Sequence, residues 1–193
     1  PSSGLLARWG LSPRSYLLLT ARFVKEKGIV DLIRAWSESG LSGRCQLAIA
    51  GGEDHPSAYG REVRALAREC GAVLTGIVGG DDLKALYGHA RGFVLPSYHE
   101  GLPISLLEAM SWQLPTGTSD IAANAEVGLA PETYFKAGDK TGIARRIAAI
   151  LDGPERVDYS DKMKLYDWDA IAVSTSEFYH AILNGQRVTT PGR

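Results

Sequence analysis

Short apolar runs alternate with longer amphipathic segments along most of this chain, and that alternation constrains its fold more than any other feature. Residues 16–21, 46–50, 72–75, 93–95 and 116–118 read as short strands. Helical patterns fill the intervals at about 28–39, 57–70, 81–90 and 103–112, with a further helix starting at 139 or 141 and ending near 151. Asp81 is placed to cap the third of these. Strands and helices in strict alternation argue for parallel βαβ units, hence a doubly wound α/β sheet with helices on both faces.

Beyond residue 152 the pattern changes. Gly153-Pro154 breaks the helix, and the stretch to 166 is charged and sparse in apolar residues. A last helix is expected over 167–183, with Trp168, Ile171, Ala172, Phe178 and Ile182 as its buried stripe. Residues 184–193 are polar and expected to be disordered. The 193 residues therefore read as one domain: an α/β core over 16–152, a helical extension over 153–183 and a tail.

Composition closes several functional classes. A formal net charge of −1 provides no basic field for nucleic acid. No apolar run approaches the roughly 18 residues of a membrane span, and the start of the chain has no charged-then-apolar leader pattern. Cys45 and Cys70 lack metal-type spacing and read as reduced thiols, Cys45 packing as a small apolar residue at a strand start. His55, His89, His99 and His180 are scattered, and no metal is expected.

The chemistry concentrates in the run Pro96-Ser-Tyr-His-Glu100-Gly-Leu-Pro-Ile-Ser-Leu-Leu-Glu108-Ala-Met. A strand leads into a polar loop and then a helix, with one carboxylate in the loop and the second inside the helix. Such a turn aims unpaired N–H groups and a positive dipole end at whatever lies above the sheet edge, a place for phosphate. Glu100 and Glu108 could accept hydroxyl hydrogens from a sugar. A second cluster follows the first strand, where Arg22 and Lys27 stand five residues apart before Gly28. At the carboxyl end of a parallel strand these two could clamp a diphosphate, or simply belong to a solvated loop. Gly51-Gly52 also follows a strand, but the G-x-G-x-x-G pattern of dinucleotide enzymes is absent, so a tight turn is the expected role.

Pro96, Ser97, Glu100, Gly101 and Glu108 together resemble the signature of retaining glycosyltransferases of the GT-B fold, the group called glycosyl transferases group 1. In that group a Glu, seven residues and a second Glu follow a proline-serine pair. Arg22, Lys27 and Gly28 match the same group's arginine, four residues, lysine-glycine arrangement. The resemblance covers about 16–183 and implies the C-terminal, donor-binding half of a two-domain enzyme of hexosyltransferase type, its N-terminal acceptor domain being absent here.

The resemblance also implies roles. Arg22 and Lys27 would contact the donor's diphosphate, Glu100 the transferred sugar and Glu108 the ribose. The N–H groups of Gly101, Leu102, Ile104 and Ser105 would take phosphate and sugar oxygens, with Pro103 at the first helical position, where no N–H is needed. Main-chain groups at Ile77 would border the nucleotide base. No cofactor or metal is implied; the partners are a nucleotide sugar and the enzyme's own acceptor domain. A cytoplasmic setting follows, at the inner face of the membrane if the full-length enzyme associates peripherally, and this fragment alone is expected to be inactive. Two departures stand out: the group commonly has glycine where Gln113 stands and a glycine pair where Ala122-Ala123 stand, so the loop path before Glu126 should differ. A non-catalytic nucleotide-sugar-binding module, a sugar-nucleotide epimerase and a sugar phosphorylase remain alternatives.

Overall fold

The five strands expected from the sequence form one parallel sheet, to which a sixth is added at one edge. The computed structural model describes residues 1–184. The strands are β1 (Tyr16–Thr20), β2 (Gln46–Ala50), β3 (Val73–Gly76), β4 (Gly92–Leu95), β5 (Thr116–Ser119) and β6 (Tyr134–Phe135), in the order β3-β2-β1-β4-β5-β6. Leu17, Leu18, Leu19, Leu47, Ala48, Ile49, Phe93, Val94 and Leu95 are fully buried. Unbroken burial along a strand requires cover on both sheet faces. That cover comes from α1 (Ile29–Glu38), α2 (Ala58–Cys70), α3 (Gly80–His89), α4 (Ile104–Ser111) and α6 (Lys140–Asp152). α1 packs against both α2 and α6. Right-handed crossovers put α1 and α2 on one face and α4 on the other, which gives the three-layer α/β/α, Rossmann-like arrangement.

The strand order reverses direction between β1 and β4. Chain connections leave these neighbours in opposite directions, so their carboxyl ends open a crevice, where doubly wound sheets bind ligands. The loops after β1 and β4 carry the Arg22–Lys27 and Ser97–Pro103 segments to that crevice.

Several local expectations are corrected. Gly79 rather than Asp81 caps α3, and Asp81 sits in its first turn, where its charge favours the helix dipole. Pro103 is the cap residue of α4 rather than its first helical residue. Residues Ser3–Trp9 form a 3-10 segment, and α5 (Ala122–Ala125) and β6 are further elements too short to leave a periodic pattern. Cys45 is buried as expected, its carbonyl accepting the Trp36 indole N–H at 3.0 Å.

The chain divides into two compact units, Pro1–Asp158 and Tyr159 onward. The second holds α7 (Ser160–Met163) and α8 (Trp168–Leu183), the latter capped by the Asp167 carboxylate. The stripe expected to be buried on α8 is exposed, with Trp168 63% and Ile182 51% accessible. A single long helix has no second apolar layer in its own unit. The expected tail lies, beyond Asn184, outside the described residues. Among the described residues no helix is long and apolar enough to cross a membrane.

Candidate functional site

The two loops at the crevice are bonded to each other through backbone and side chains. The Tyr98 N–H donates to the Glu26 carbonyl at 2.7 Å. Lys27 Nζ donates to both carboxylate oxygens of Glu100, at 2.7 and 2.8 Å. Ser97 Oγ, itself fully buried, donates to Glu100 Oε1 at 2.7 Å. Glu100 is thus fixed from two sides, with its side chain 7% exposed against 21% for Lys27. Lys27 and Glu100, expected from their sequence context to share a site, do meet.

Glu108, half-buried on α4, is held differently. Tyr87 on α3 donates its hydroxyl to Glu108 Oε2 at 2.8 Å, and the same hydroxyl lies 2.7 Å from Thr20 Oγ1 at the end of β1. A carboxylate only accepts, so the phenol proton goes to Glu108 and Thr20 donates to the phenol oxygen. This relay ties the carboxylate to the sheet's centre. Burial, with the adjacent Glu108 charge, pushes the Tyr87 phenol well above its ordinary range, although Thr20 pulls the other way. Glu108 borders a small cavity of about 230 Å³ with Leu83, Lys84 and Trp112.

The N-terminus of α4 offers fewer donors than expected. The Ile104 N–H is taken by the Leu102 carbonyl at 2.8 Å, a consequence of the tight turn that Pro103 imposes. The N–H groups of Gly101, Leu102 and Ser105 have no partner among the described residues. The N-terminus of α1 is closed: the Tyr59 hydroxyl accepts from Ile29 and Val30 at 3.1 and 3.4 Å. Of the two helix N-termini at the crevice, α4 is thus the one with unpartnered N–H groups beside it among the described residues.

The Arg22 side chain makes no hydrogen bond or ion pair among the described residues, and Arg22 lines a cleft of about 420 Å³ with Phe23, Glu53, His55 and Tyr59. Ile77 is 76% exposed and lines another, of about 550 Å³, with Gly51, Gly52, Glu53, Arg64 and Leu74. Neither Lys27 nor Glu100 lines either of these two clefts. Glu53, between these clefts, escaped the sequence reading. Its carboxylate accepts from Ser57 N and Oγ and from Arg64, and these partners, Ser57 first, hold it below the usual carboxylate range. Gly51 is required by a close backbone approach rather than by a turn, since its φ is 139° and a Cβ there would lie 1.9 Å from the Ala21 carbonyl oxygen. Tyr87 and Thr20 were also missed as supports of Glu108; a hydroxyl amid the buried Ala85-Leu86 face was the available signal.

The loop before Glu126 contains no left-handed residue at Ala122 or Ala123 and instead forms the single turn α5, as their Cβ atoms require. Glu126 is exposed. No group of three or more His, Cys, Asp or Glu placed to hold a metal ion occurs among the described residues.

Comparisons with known proteins agree on the fold and the family. The glycogen synthase of Mycobacterium tuberculosis (strain CDC 1551 / Oshkosh) is 28% identical over 207 residues, covering 96% of this chain and 48% of that protein. The α-maltose-1-phosphate synthase of the same strain is 27% identical over 202 residues, covering 94% of this chain and 52% of its own length. The chain thus spans about half the length of these relatives. Sucrose-phosphate synthase from Thermosynechococcus elongatus superimposes with a TM-score of 0.79 at 24% identity, over 96% of this chain and 50% of the other, and shares the fold. A family profile described as glycosyl transferases group 1 matches residues 14–153, which span the sheet, both loops and both glutamates. The chain belongs to the glycosyl transferases group 1 family.

Proposed function

We propose that this chain binds the nucleotide-diphosphate sugar donor of a retaining glycosyltransferase, as the C-terminal half of a two-domain GT-B enzyme. The observation that carries the reading is the meeting of Lys27 and Glu100 across the switch point, beside the free N–H groups of α4. A cation, a fixed carboxylate and a positive helix end within one crevice match the phosphate and hydroxyl groups of such a donor. The names of the three relatives each state a saccharide product, which supports sugar transfer.

In this reading Arg22, Lys27 and the N–H groups of Gly101, Leu102 and Ser105 hold the diphosphate. Glu100 accepts from hydroxyls of the transferred sugar, Glu108 from the ribose, and the base lies beside Ile77. When the bond from the anomeric carbon to the diphosphate breaks, its electron pair leaves on phosphate oxygen. The two cations and the helix end stabilise that developing charge, without a metal ion. The acceptor's hydroxyl oxygen bonds to the same carbon, and its proton passes to the departing diphosphate oxygen. Its pocket belongs to the other domain, so this chain alone binds donor without useful transfer.

Calorimetric titration with UDP, GDP, ADP and their sugars tests the assignment. One nucleotide series binds, and Arg22→Ala and Glu108→Ala each weaken it at least about tenfold, the effect of losing one charge-assisted hydrogen bond of roughly 1.5–3 kcal/mol. Undiminished binding by both variants overturns the assignment of the site.

A further inference from the structure

We infer that Glu100 competes with the donor's diphosphate for Lys27 and thereby selects the intact nucleotide sugar over the free nucleoside diphosphate. The inference rests on the donor-site reading above. An ammonium group has three hydrogens to donate, and Lys27 directs its Nζ at both oxygens of Glu100. The carboxylate is the fixed partner, because Ser97 holds Oε1 and the Ser97 carbonyl is in turn bonded by Ser119 Oγ. Lys27, on its four-carbon stem, is the partner able to turn. Arg22 faces no such competition, having no ion-pair partner among the described residues.

A bare nucleoside diphosphate then meets two unfavourable choices. Either Lys27 keeps two of its three ammonium hydrogens on Glu100 and offers the phosphates one hydrogen and a charge that the carboxylate already offsets, or Lys27 turns to them and leaves a 7% exposed carboxylate without its cation. An attached sugar removes the conflict, since its hydroxyls donate to Glu100 in place of the ammonium. Lys27 is then released to the diphosphate. After transfer the sugar is gone, Glu100 reclaims Lys27, and the nucleoside diphosphate product departs more readily.

Isothermal titration of the chain with three matched pairs tests this: UDP and UDP-glucose, GDP and GDP-mannose, ADP and ADP-glucose. Glu100→Gln keeps the shape of the side chain but removes its charge. It is expected to bind the nucleoside diphosphate about tenfold more tightly than wild type, the scale of one charge-assisted hydrogen bond gained from the released Lys27. The gain should vanish when Lys27→Met is also present. Lys27→Met alone should weaken the nucleotide sugar more than the nucleoside diphosphate, which keeps the test open if Glu100→Gln folds poorly. No gain in Glu100→Gln while the diphosphate still binds overturns the competition, as does a gain that survives loss of Lys27. Failure of every nucleotide to bind wild type and variants overturns the donor-site reading with it.

Discussion

A Cβ on Gly28 would lie 2.3 Å from the carbonyl oxygen of Pro96, so the backbones that follow β1 and β4 touch at the base of the crevice. Gly28 also has φ of 62°, a left-handed conformation that L side chains adopt at a cost. The contact sets the spacing at which Lys27, one residue before, reaches Glu100. Gly28→Ala is therefore expected to destabilise by about 3 kcal/mol, combining backbone strain with an unrelieved clash. For a chain of this size that is about 10 °C of melting temperature. It should also weaken nucleotide binding more than its loss of stability explains, because it parts the two loops. Thermal melts and titrations on the same sample check both effects.

The meeting of Lys27 and Glu100 was legible because both follow strands at the switch point and the family resemblance puts them at one site. Tyr87 was not, because a buried tyrosine on a helix looks in sequence like core, and only the fold reveals that its hydroxyl meets Glu108. The closure of the α1 N-terminus by Tyr59 is likewise a contact between residues thirty apart. β6 has two residues and α5 four, below the length at which periodicity can be read. The α8 stripe was read correctly as apolar, but periodicity names a face without naming what covers it.

Tyr87→Phe removes the hydrogen bond that, among the described residues, fixes Glu108 Oε2, and it strands the Thr20 hydroxyl. A loss of about 1–3 kcal/mol in stability is expected for the unsatisfied partners. The informative readout is ribose discrimination. Wild type should favour a ribonucleoside diphosphate over its 2′-deoxy form, and Tyr87→Phe should lose much of that preference while retaining phosphate binding. Equal preference in both proteins would mean that Glu108 keeps its position without Tyr87.

Tyr16 predicts an alkaline limb of the stability curve. Its hydroxyl donates to the Leu86 carbonyl at 2.6 Å, and burial, only partly offset by Arg14, pushes its phenol well above the ordinary range. Above about pH 10 the unfolded chain releases this proton and the folded chain keeps it. The folded state then binds more protons, so stability is intact below pH 10 and falls as pH rises, by about 1.4 kcal/mol per pH unit for each such tyrosine. Tyr87 contributes in the same direction. Urea midpoints between pH 9 and 11 should fall steeply for wild type and less steeply for Tyr16→Phe, whatever the variant's starting stability.

Gln113 ends α4 with φ of 57°, in a backbone region that favours glycine. Its N–H donates to the Met110 carbonyl at 2.8 Å and the Leu114 N–H to the Ala109 carbonyl at 3.0 Å, the paired bonds of a Schellman ending. The resemblance drawn from the sequence implies glycine at this position, and the left-handed backbone is the physical reason for it. The Gln113 side chain is exposed and makes no hydrogen bond among the described residues, so its removal forfeits little. Gln113→Gly relieves the Cβ strain, about 1–2 kcal/mol, against a smaller cost in unfolded-state entropy. A net stabilisation of about 0.5–1 kcal/mol is expected, seen as a higher urea midpoint at unchanged slope. Because the Gln113 carbonyl still accepts from Val157 at 2.9 Å, the course of the chain past α4 and the position of Glu108 are kept, and nucleotide affinity should not move. A destabilised variant would mean that the glutamine side chain contributes packing that outweighs its strained backbone.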